Sequence, residues 1–353
     1  MERLGHMFIN LQQVRQVPWL LRESLPSVPS TLRASEVPPL FRVPSILSGY
    51  RPPGQPWRYY ALSVFLRHNE TVNVWTHLLG ALCVLFWALR LGQTVDFVGD
   101  VHAWPLLLLV CTAFGYLALS TLAHLLSARS PLLFHVFYFL DYLGIALYQY
   151  GSAAAHLHYA AQPGWRGPGG PGGAFLGVAA LLAWLSCLAG CCSKLGARGE
   201  PSWGQKLCHV VPCGLAYAWD SGPVFHRVYT CLPVCADDPA GRFHAVQLGC
   251  FLASAVFFSC GVPERWLPGR CDFLPQGHQL FHLLMVLCTC GQIHGSHLDY
   301  LQRRALYTQT QSAALLPGLL LSLFALLALT CILTCVLMTR TASRLLGHKH
   351  KES

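Results

Sequence analysis

Long runs of apolar residues, separated by short polar stretches, recur from residue 72 to the end of the chain. Most are long enough for a helix of about 20 residues, which is the length that crosses a lipid bilayer. The pattern predicts an all-α fold: a polytopic membrane helix bundle with a seven-helix core and an eighth, C-terminal transmembrane helix. The predicted spans are about 72–91, 104–126, 133–157, 174–195, 206–230, 243–261, 278–299 and 313–338.

The polar segments divide the chain around this predicted bundle. Residues 1–70 are proline-rich and are expected to be a cytoplasmic segment, in which "PWRYYALSVFLRHNE" favours an amphipathic helix on the membrane surface. Residues 71–340 form the predicted transmembrane domain, and residues 341–353 a cytoplasmic tail. The first residues lack the apolar core of a cleavable signal peptide, so we expect the first span to direct insertion.

Charge is scarce, and its distribution predicts the orientation in the membrane. Only 11% of the residues are charged, against about 25% in a soluble protein. Of the 24 Lys and Arg, 18 fall on the side of both termini and 6 on the other. The positive-inside rule therefore predicts that both termini are cytoplasmic. The net charge of +9 does not indicate a nucleic-acid partner, because no basic run with interleaved aromatic residues is present.

The chain contains sixteen cysteines, which raises the question of a disulfide framework. Most lie inside apolar runs, where cysteine usually acts as a small buried hydrophobic residue. Examples are Cys83, Cys111, Cys187, Cys288, Cys331 and Cys335. The one pair that suggests a disulfide bond is Cys231 and Cys235, which flank the short loop "TCLPVC".

Two histidines open the seventh apolar run, in the stretch "GHQLFHLLM". His278 and His282 are four residues apart, which places both imidazoles on one face of a helix. Such a pair can direct two nitrogens at one metal ion. The alternative is a pair of hydrogen-bonded core histidines, and the spacing alone does not separate the two.

Polar residues of four helices are predicted to lie at one depth, near the cytoplasmic end of the bundle. Because the orientation rests on Lys and Arg alone, this agreement is an independent argument for a site. The residues are Glu70, Asn73 and His77 at the start of the first span, Ser120 and His124 at the end of the second, Asp141 in the third, and His278 and His282 in the seventh.

Ionisable residues within a membrane are costly and usually functional. Three histidines with one open position are typical of a zinc site that keeps a water molecule. Asp141 would bind the metal or hold its water, and Ser120 would orient that water or donate to a developing oxyanion. His77 would support a ligand or serve in packing. The alternative is a histidine and carboxylate network that ties helices together without metal.

Other intramembrane polar residues have weaker interpretations. Asp220 would contact a ligand, or would be the buried partner of His226 or of a tyrosine. Four further histidines are expected at the outer ends of their helices, mostly as interfacial residues: His156, His158, His294 and His297.

Several stretches together resemble the progestin and adipoQ receptor family. They are "NETVNVWTH", "STLAH" with Asp141 seventeen residues later, and "HQLFH". The stretches "GYRPPGQPWRYY", "DYLGIALYQYGSAAAH" and "PERWLPGRCDFLPQGHQLFH", with the eighth span, resemble its membrane progestin receptor branch, near the alpha and beta members. The resemblance covers about residues 36–340.

This resemblance implies a zinc site on the cytoplasmic side of the bundle. Its ligands would be His124, His278 and His282, with Asp141 and Ser120 beside the metal-bound water. The branch implies progestin binding at the plasma membrane and signalling through inhibitory G proteins. The related adiponectin receptors and alkaline ceramidases imply hydrolysis of a sphingolipid amide.

The residues and the resemblance are therefore compatible with two functions. A rigid, apolar steroid suits a cavity between helices with a few polar groups, and a receptor is the principal expectation. A zinc-dependent amidase acting on ceramide-like lipids is the alternative, in which Asp141 would transfer the proton and Ser120 would assist. A channel or transporter is disfavoured, because neither paired broken helices nor a ring of charges is predicted.

Overall fold

The computed structural model describes residues 30–165, 171–196, 203–231, 238–310 and 316–352. These residues form an all-α fold, as the apolar pattern predicts. The side chain of Cys231 and all of Cys235 lie outside the described residues, so the suggested disulfide has no structural counterpart to compare. The helices are α1 (Trp57–Leu62), α2 (Thr71–Leu91), α3 (Trp104–Leu126), α4 (Pro131–Ala155), α5 (Gly172–Leu195), α6 (Trp203–Asp220), α7 (Gly222–Cys231), α8 (Pro239–Cys260), α9 (Gly277–Gln302), α10 (Arg304–Thr310) and α11 (Leu316–Glu352).

Six helical segments in the described ranges are long and apolar enough to cross a membrane, which makes the chain a multi-pass membrane protein. They coincide with six of the eight predicted spans. The other two, 206–230 and 278–299, are helical but more polar than a typical span. The six segments are Thr71–Leu91, Val101–Arg129, Pro131–Ala160, Gly172–Leu195, Pro239–Cys260 and Pro317–Gly347.

The predicted span at 206–230 is not one continuous helix. It consists of α6 and α7, which meet at Ser221. Pro223 follows directly in the first turn of α7. Proline has no amide hydrogen and restricts the backbone of the preceding residue, here Gly222, so the helical hydrogen-bond ladder is interrupted. The prediction of a single helix here was wrong for this reason.

The main helices pack side by side in a closed arrangement. Helix α2 lies between α3 and α9, α4 packs between α3 and α5, and α6 packs on α5. On the other side α8 packs on α9 and α7 on α8, while α11 lies against α4 and α5. Close approach of α3 and α4 requires Gly144, since a Cβ there would lie 2.9 Å from the Cα of Tyr116.

The segment before α2 is more structured than its composition predicts. Leu32 and Tyr50 form an antiparallel bridge, and Val37, Ile46 and Tyr50 are buried together. The expected amphipathic helix is confined to the six residues of α1. Arg51 donates hydrogen bonds of 2.6 Å to the carbonyl oxygens of His124 and Leu125. It thereby satisfies carbonyls at the end of α3, which would otherwise lack partners.

Candidate metal centre

The structure brings together three of the predicted histidines from two helices. One ligand nitrogen each of His124, His278 and His282 lies within 4.8 Å of the other two. The Nε2 atoms of His124 and His278 are 3.4 Å apart. His124 is on the last turn of α3, and the other two occupy the first turns of α9. Because the spacing of four residues stacks His278 and His282 on one face, α9 contributes both rings to one point.

The rings of His124 and His282 are each oriented by a hydrogen bond at Nδ1, on the side that faces away from the cluster. The Nδ1 of His124 is 2.8 Å from a carboxylate oxygen of Glu70. The Nδ1 of His282 is 3.3 Å from the carbonyl oxygen of Asn73. A proton on each Nδ1 satisfies these acceptors and leaves the Nε2 lone pair directed at the centre of the cluster. Such outer contacts are usual for histidines that bind a metal.

Glu70 is itself held by residues around the start of α2. Asn73 donates a 2.6 Å hydrogen bond to the same carboxylate oxygen that faces His124. The backbone amide of Glu70 donates to Nδ1 of His68. Burial and the nearby charge of Arg51 lower the pKa of His68 to about 3, so its ring stays neutral and accepts that hydrogen bond.

The charge state of Glu70 follows from the same contacts. Burial by itself would raise the pKa of this carboxyl group. The adjacent imidazole of His124 and the hydrogen bond from Asn73 outweigh burial and hold the pKa well below its usual range. Glu70 is therefore a carboxylate, which is the form that accepts a proton from Nδ1 of His124.

His77 lies beside the cluster but does not join it. Its ring is stacked on that of His282, and Tyr116 contacts it edge-on at 5.9 Å between centroids. Both ring nitrogens are buried without a hydrogen-bond partner among the described residues. Of the two roles suggested for His77, this geometry favours packing, since the ring stacks on His282, one of the three candidate metal ligands.

Asp141 is buried near the three histidines, on α4. Its carboxylate does not belong to the set of ligand atoms that lie within 4.8 Å of one another. The hydroxyl group of Ser120 interacts with it, and its Oδ1 has no hydrogen-bond partner among the described residues. A buried carboxylate oxygen without a hydrogen-bond partner, beside three imidazole nitrogens, fits a site that holds a metal ion and one water. The residues present therefore fit zinc.

A lysine that the sequence pattern did not single out lies beside the site, behind Tyr138. The ammonium group of Lys194, in the last turn of α5, lies 3.5 Å from the ring centroid of Tyr138. Tyr138 in turn contacts the ring of His124 edge-on. Sequence reasoning counted Lys194 only as a topological charge. The signal available in the sequence was the position of Lys194 among cysteines and apolar residues, where a charged side chain is unusual.

A second polar cluster, which sequence reasoning missed, lies at the opposite end of the bundle. Arg227 of α7 donates to both carboxylate oxygens of Asp299 of α9, at 2.5 and 2.6 Å. Arg227 also pairs with Asp238, which precedes α8. His244 contacts Asp299 at 2.9 Å. The cluster joins three helices through two charges that are almost fully buried.

Further buried polar groups connect this cluster with the histidine site. The contacts run in sequence through His244, Gln247, His156, Gln292, Tyr148, Thr289 and Tyr116. Tyr116 then packs against His77. His156 and His158 were expected at an interface and are instead buried inside the bundle, in the π-helical turn that extends α4.

Asp220 has a hydrogen-bond partner that was not among those expected, and its contact with a ligand stays a prediction. Its carboxylate accepts a 2.7 Å hydrogen bond from Ser221, and its backbone carbonyl lies 3.0 Å from Nδ1 of His156. His226 contacts Trp165 and not Asp220. The interruption between α6 and α7 places Ser221 beside the carboxylate, which the sequence pattern of one continuous helix did not predict.

The chain is similar to known proteins over most of its length. The haemolysin-III related family profile matches residues 65–293. Membrane progestin receptor alpha-B of Danio rerio is 51% identical over 310 residues, covering 87% of both chains. The human membrane progestin receptor alpha is 44% identical over 350 residues, covering 99% of both. The human beta receptor is 42% identical over 348 residues, covering 98% of this chain and 97% of the receptor.

Proposed function

This chain belongs to the haemolysin-III related family, and on that premise we propose that it is a plasma-membrane receptor for progestin steroids with a zinc ion at the three-histidine site. The observation that carries the receptor proposal is the extent of the similarity. The human alpha receptor aligns over 99% of both chains. The shared region therefore includes both the segment before α2 and the final helix, and not the family core alone.

The interior of the bundle offers the kinds of groups that a steroid site would use. It combines apolar side chains with a few buried hydroxyl and amide groups, such as Tyr148, Gln292 and Thr289. A rigid apolar ligand with polar groups at its ends requires this combination. A ligand held between helices would favour one packing arrangement of the bundle over another, and inhibitory G proteins on the cytoplasmic side would respond to that arrangement.

His124, His278 and His282 would hold the zinc ion. When bound, zinc would polarise its remaining ligand, a water molecule, and lower the pKa of that water. Glu70 and Asn73 keep the two outer Nδ1 atoms engaged, so that Nε2 faces the ion. Asp141 would accept a hydrogen bond from the water through its free Oδ1. The three histidines by themselves fit both a structural ion and a catalytic one.

A specific observation favours the second candidate, a zinc-dependent amidase of ceramide-like lipids. Within the described parts of the chain, the Oδ1 of Asp141 has no hydrogen-bond partner, and Ser120 is beside the same carboxylate. A carboxylate that is free to take up a proton from water, next to a hydroxyl donor, is the arrangement that general base catalysis needs. A purely structural zinc site does not need this acceptor to be free.

The test uses the purified full-length protein in lipid nanodiscs. Metal analysis should find one zinc that depends on the histidines, and labelled progesterone should bind saturably and compete with unlabelled progestins. Absence of saturable binding to zinc-replete protein would overturn the receptor proposal. Zinc-dependent release of fatty acid from labelled ceramide, without steroid binding, would establish the amidase instead. Stimulation of nucleotide exchange on an inhibitory G protein by progesterone tests the signalling step.

A further inference from the structure

Two pairs of cysteines face each other across the interface between α5 and α11. Cys187 and Cys191 are four residues apart on α5, and Cys331 and Cys335 are four apart on α11, so each pair lies on one helix face. The sulfur atoms of Cys187, Cys191 and Cys335 all lie within 4.8 Å of one another. The thiol of Cys331 contacts that of Cys187. Three thiols from two helices therefore converge, and the thiol of Cys331 contacts one of them.

Neighbouring contacts hold the two helices in this register. The indole of Trp184 donates a 3.1 Å hydrogen bond to the hydroxyl of Thr334, between the two cysteines of α11 in sequence. The thiol of Cys335 donates to the carbonyl oxygen of Phe139 on α4. All four cysteines are buried, three of them completely. The cluster is thus a fixed part of the packing between α4, α5 and α11.

The arrangement matches what a soft metal ion requires. Thiolate sulfurs bind Zn²⁺ and Cu⁺ in preference to hard cations. Around a tetrahedral zinc, with bonds of about 2.3 Å, sulfur atoms lie roughly 3.8 Å apart. The three sulfurs named above are already within about one ångström of that separation. The sulfur of Cys331, which contacts that of Cys187, would have to turn toward the other two to complete the geometry.

We propose that Cys187, Cys191, Cys331 and Cys335 form a second metal site, which binds a thiophilic ion and fastens α11 to the bundle. Each thiol that becomes a ligand releases its proton to solvent. The site is separate from the three histidines, because the cysteines lie on the side of α4 toward α11. The proposal does not depend on whether the protein binds progestins.

The cluster lies toward the same end of the bundle as the histidine site. Lys194, one turn after Cys191, contacts Tyr138 beside His124. The distribution of Lys and Arg assigns that end to the cytoplasm, where thiols stay reduced. Reduced thiols favour a metal site over a disulfide bond.

The experiment counts metal in the full-length protein, expressed in medium with zinc or with copper and purified without chelators. The double variant Cys187→Ser/Cys335→Ser is compared with Cys192→Ser, whose thiol is exposed on the same helix. We expect the double variant to lose one metal equivalent while the control keeps it. His282→Ala should lose a different equivalent. The zinc and copper arms identify which ion the thiols select.

A second measurement does not require the variants to fold. Wild-type protein loaded with Co²⁺ should show the near-ultraviolet charge-transfer absorption of thiolate ligation. Its four thiols should react with an alkylating reagent only after chelation. Equal metal content in the double variant and the control, with no thiolate absorption in the wild type, would overturn the proposal. A Cys187 to Cys335 disulfide found by mass spectrometry of freshly purified protein would also overturn it.

Discussion

The imidazole of His77 lies flat against that of His282, with 3.6 Å between the ring centroids and 8° between the ring planes. His282 is one of the three converging histidines, and its Nδ1 is engaged by α2 as well. Helix α2 therefore fixes this ring through its face and through its edge. A ring fixed in this way loses little freedom when it binds a metal, which favours affinity.

Replacing His77 tests whether the stacked face matters. His77→Phe should retain zinc, because an aromatic ring preserves the contact. His77→Ala should weaken zinc binding by up to about tenfold, since an aromatic pair contributes roughly 0.5–1.5 kcal/mol. Competition with a chromogenic chelator measures both affinities. If His77→Phe lost zinc as completely as a ligand variant, His77 would have to be a ligand itself.

Removal of a ligand should strip the ion. His282→Ala leaves two histidines, so we expect loss of stoichiometric zinc and a lower melting temperature, because bound metal stabilises only the folded state. His294→Ala is the matched control, since His294 is on the same helix and contacts Trp87 and Phe243 instead. Metal analysis and thermal unfolding report the outcome. Full zinc occupancy in His282→Ala would refute the ligand assignment.

Asp141→Asn separates the two candidate functions. The amide cannot take up a proton, so hydrolysis of ceramide should be abolished if the site is catalytic. Zinc content should persist in either case, because the carboxylate lies outside the converging set. A receptor without catalysis should bind progesterone nearly as the wild type does. Loss of zinc from this variant would show that Asp141 binds the metal directly.

The buried pair of Arg227 and Asp299 should be costly to break. Arg227→Met leaves the fully buried carboxylate of Asp299 without its charged partner, and removal of one partner of such a pair costs about 3–5 kcal/mol. Arg304→Met is the control, because Arg304 is half exposed and its pair with Asp100 is worth about 0–1 kcal/mol. Thermal unfolding in detergent compares the two. Equal losses of stability would contradict the difference in burial.

Asn69 tests the orientation in the membrane. Asn69, Glu70 and Thr71 form a glycosylation sequon. The distribution of Lys and Arg predicts that this segment is cytoplasmic, away from the glycosylating enzymes. Asn69 is also buried, and its carbonyl accepts a hydrogen bond from Gln276. We expect no glycan, and an amino-terminal tag detected only after permeabilisation. A glycosidase-sensitive band shift abolished by Asn69→Gln would invert the topology.

The sequence by itself determined the fold class, most of the spans and the composition of the candidate site. These are local properties: the length of an apolar run sets whether a helix can cross a membrane, and a spacing of four sets which residues share a face. His278 and His282 could be paired on that basis. The predicted depth in the membrane, taken from the distribution of Lys and Arg, was enough to assign His124 and Asp141 to the same level as this pair.

Only the tertiary structure decided which of those residues touch, because contact depends on the rotation of each helix and on its neighbours. It separated His77, which stacks, from the three histidines that converge. It also showed that Arg227 is a buried partner of Asp299, a pairing that no sequence pattern indicated. The cysteines show most clearly which contacts the sequence does not reveal. In the sequence Cys187 and Cys335 are small apolar residues 148 positions apart, and packing of α11 on α5 brings their sulfur atoms together.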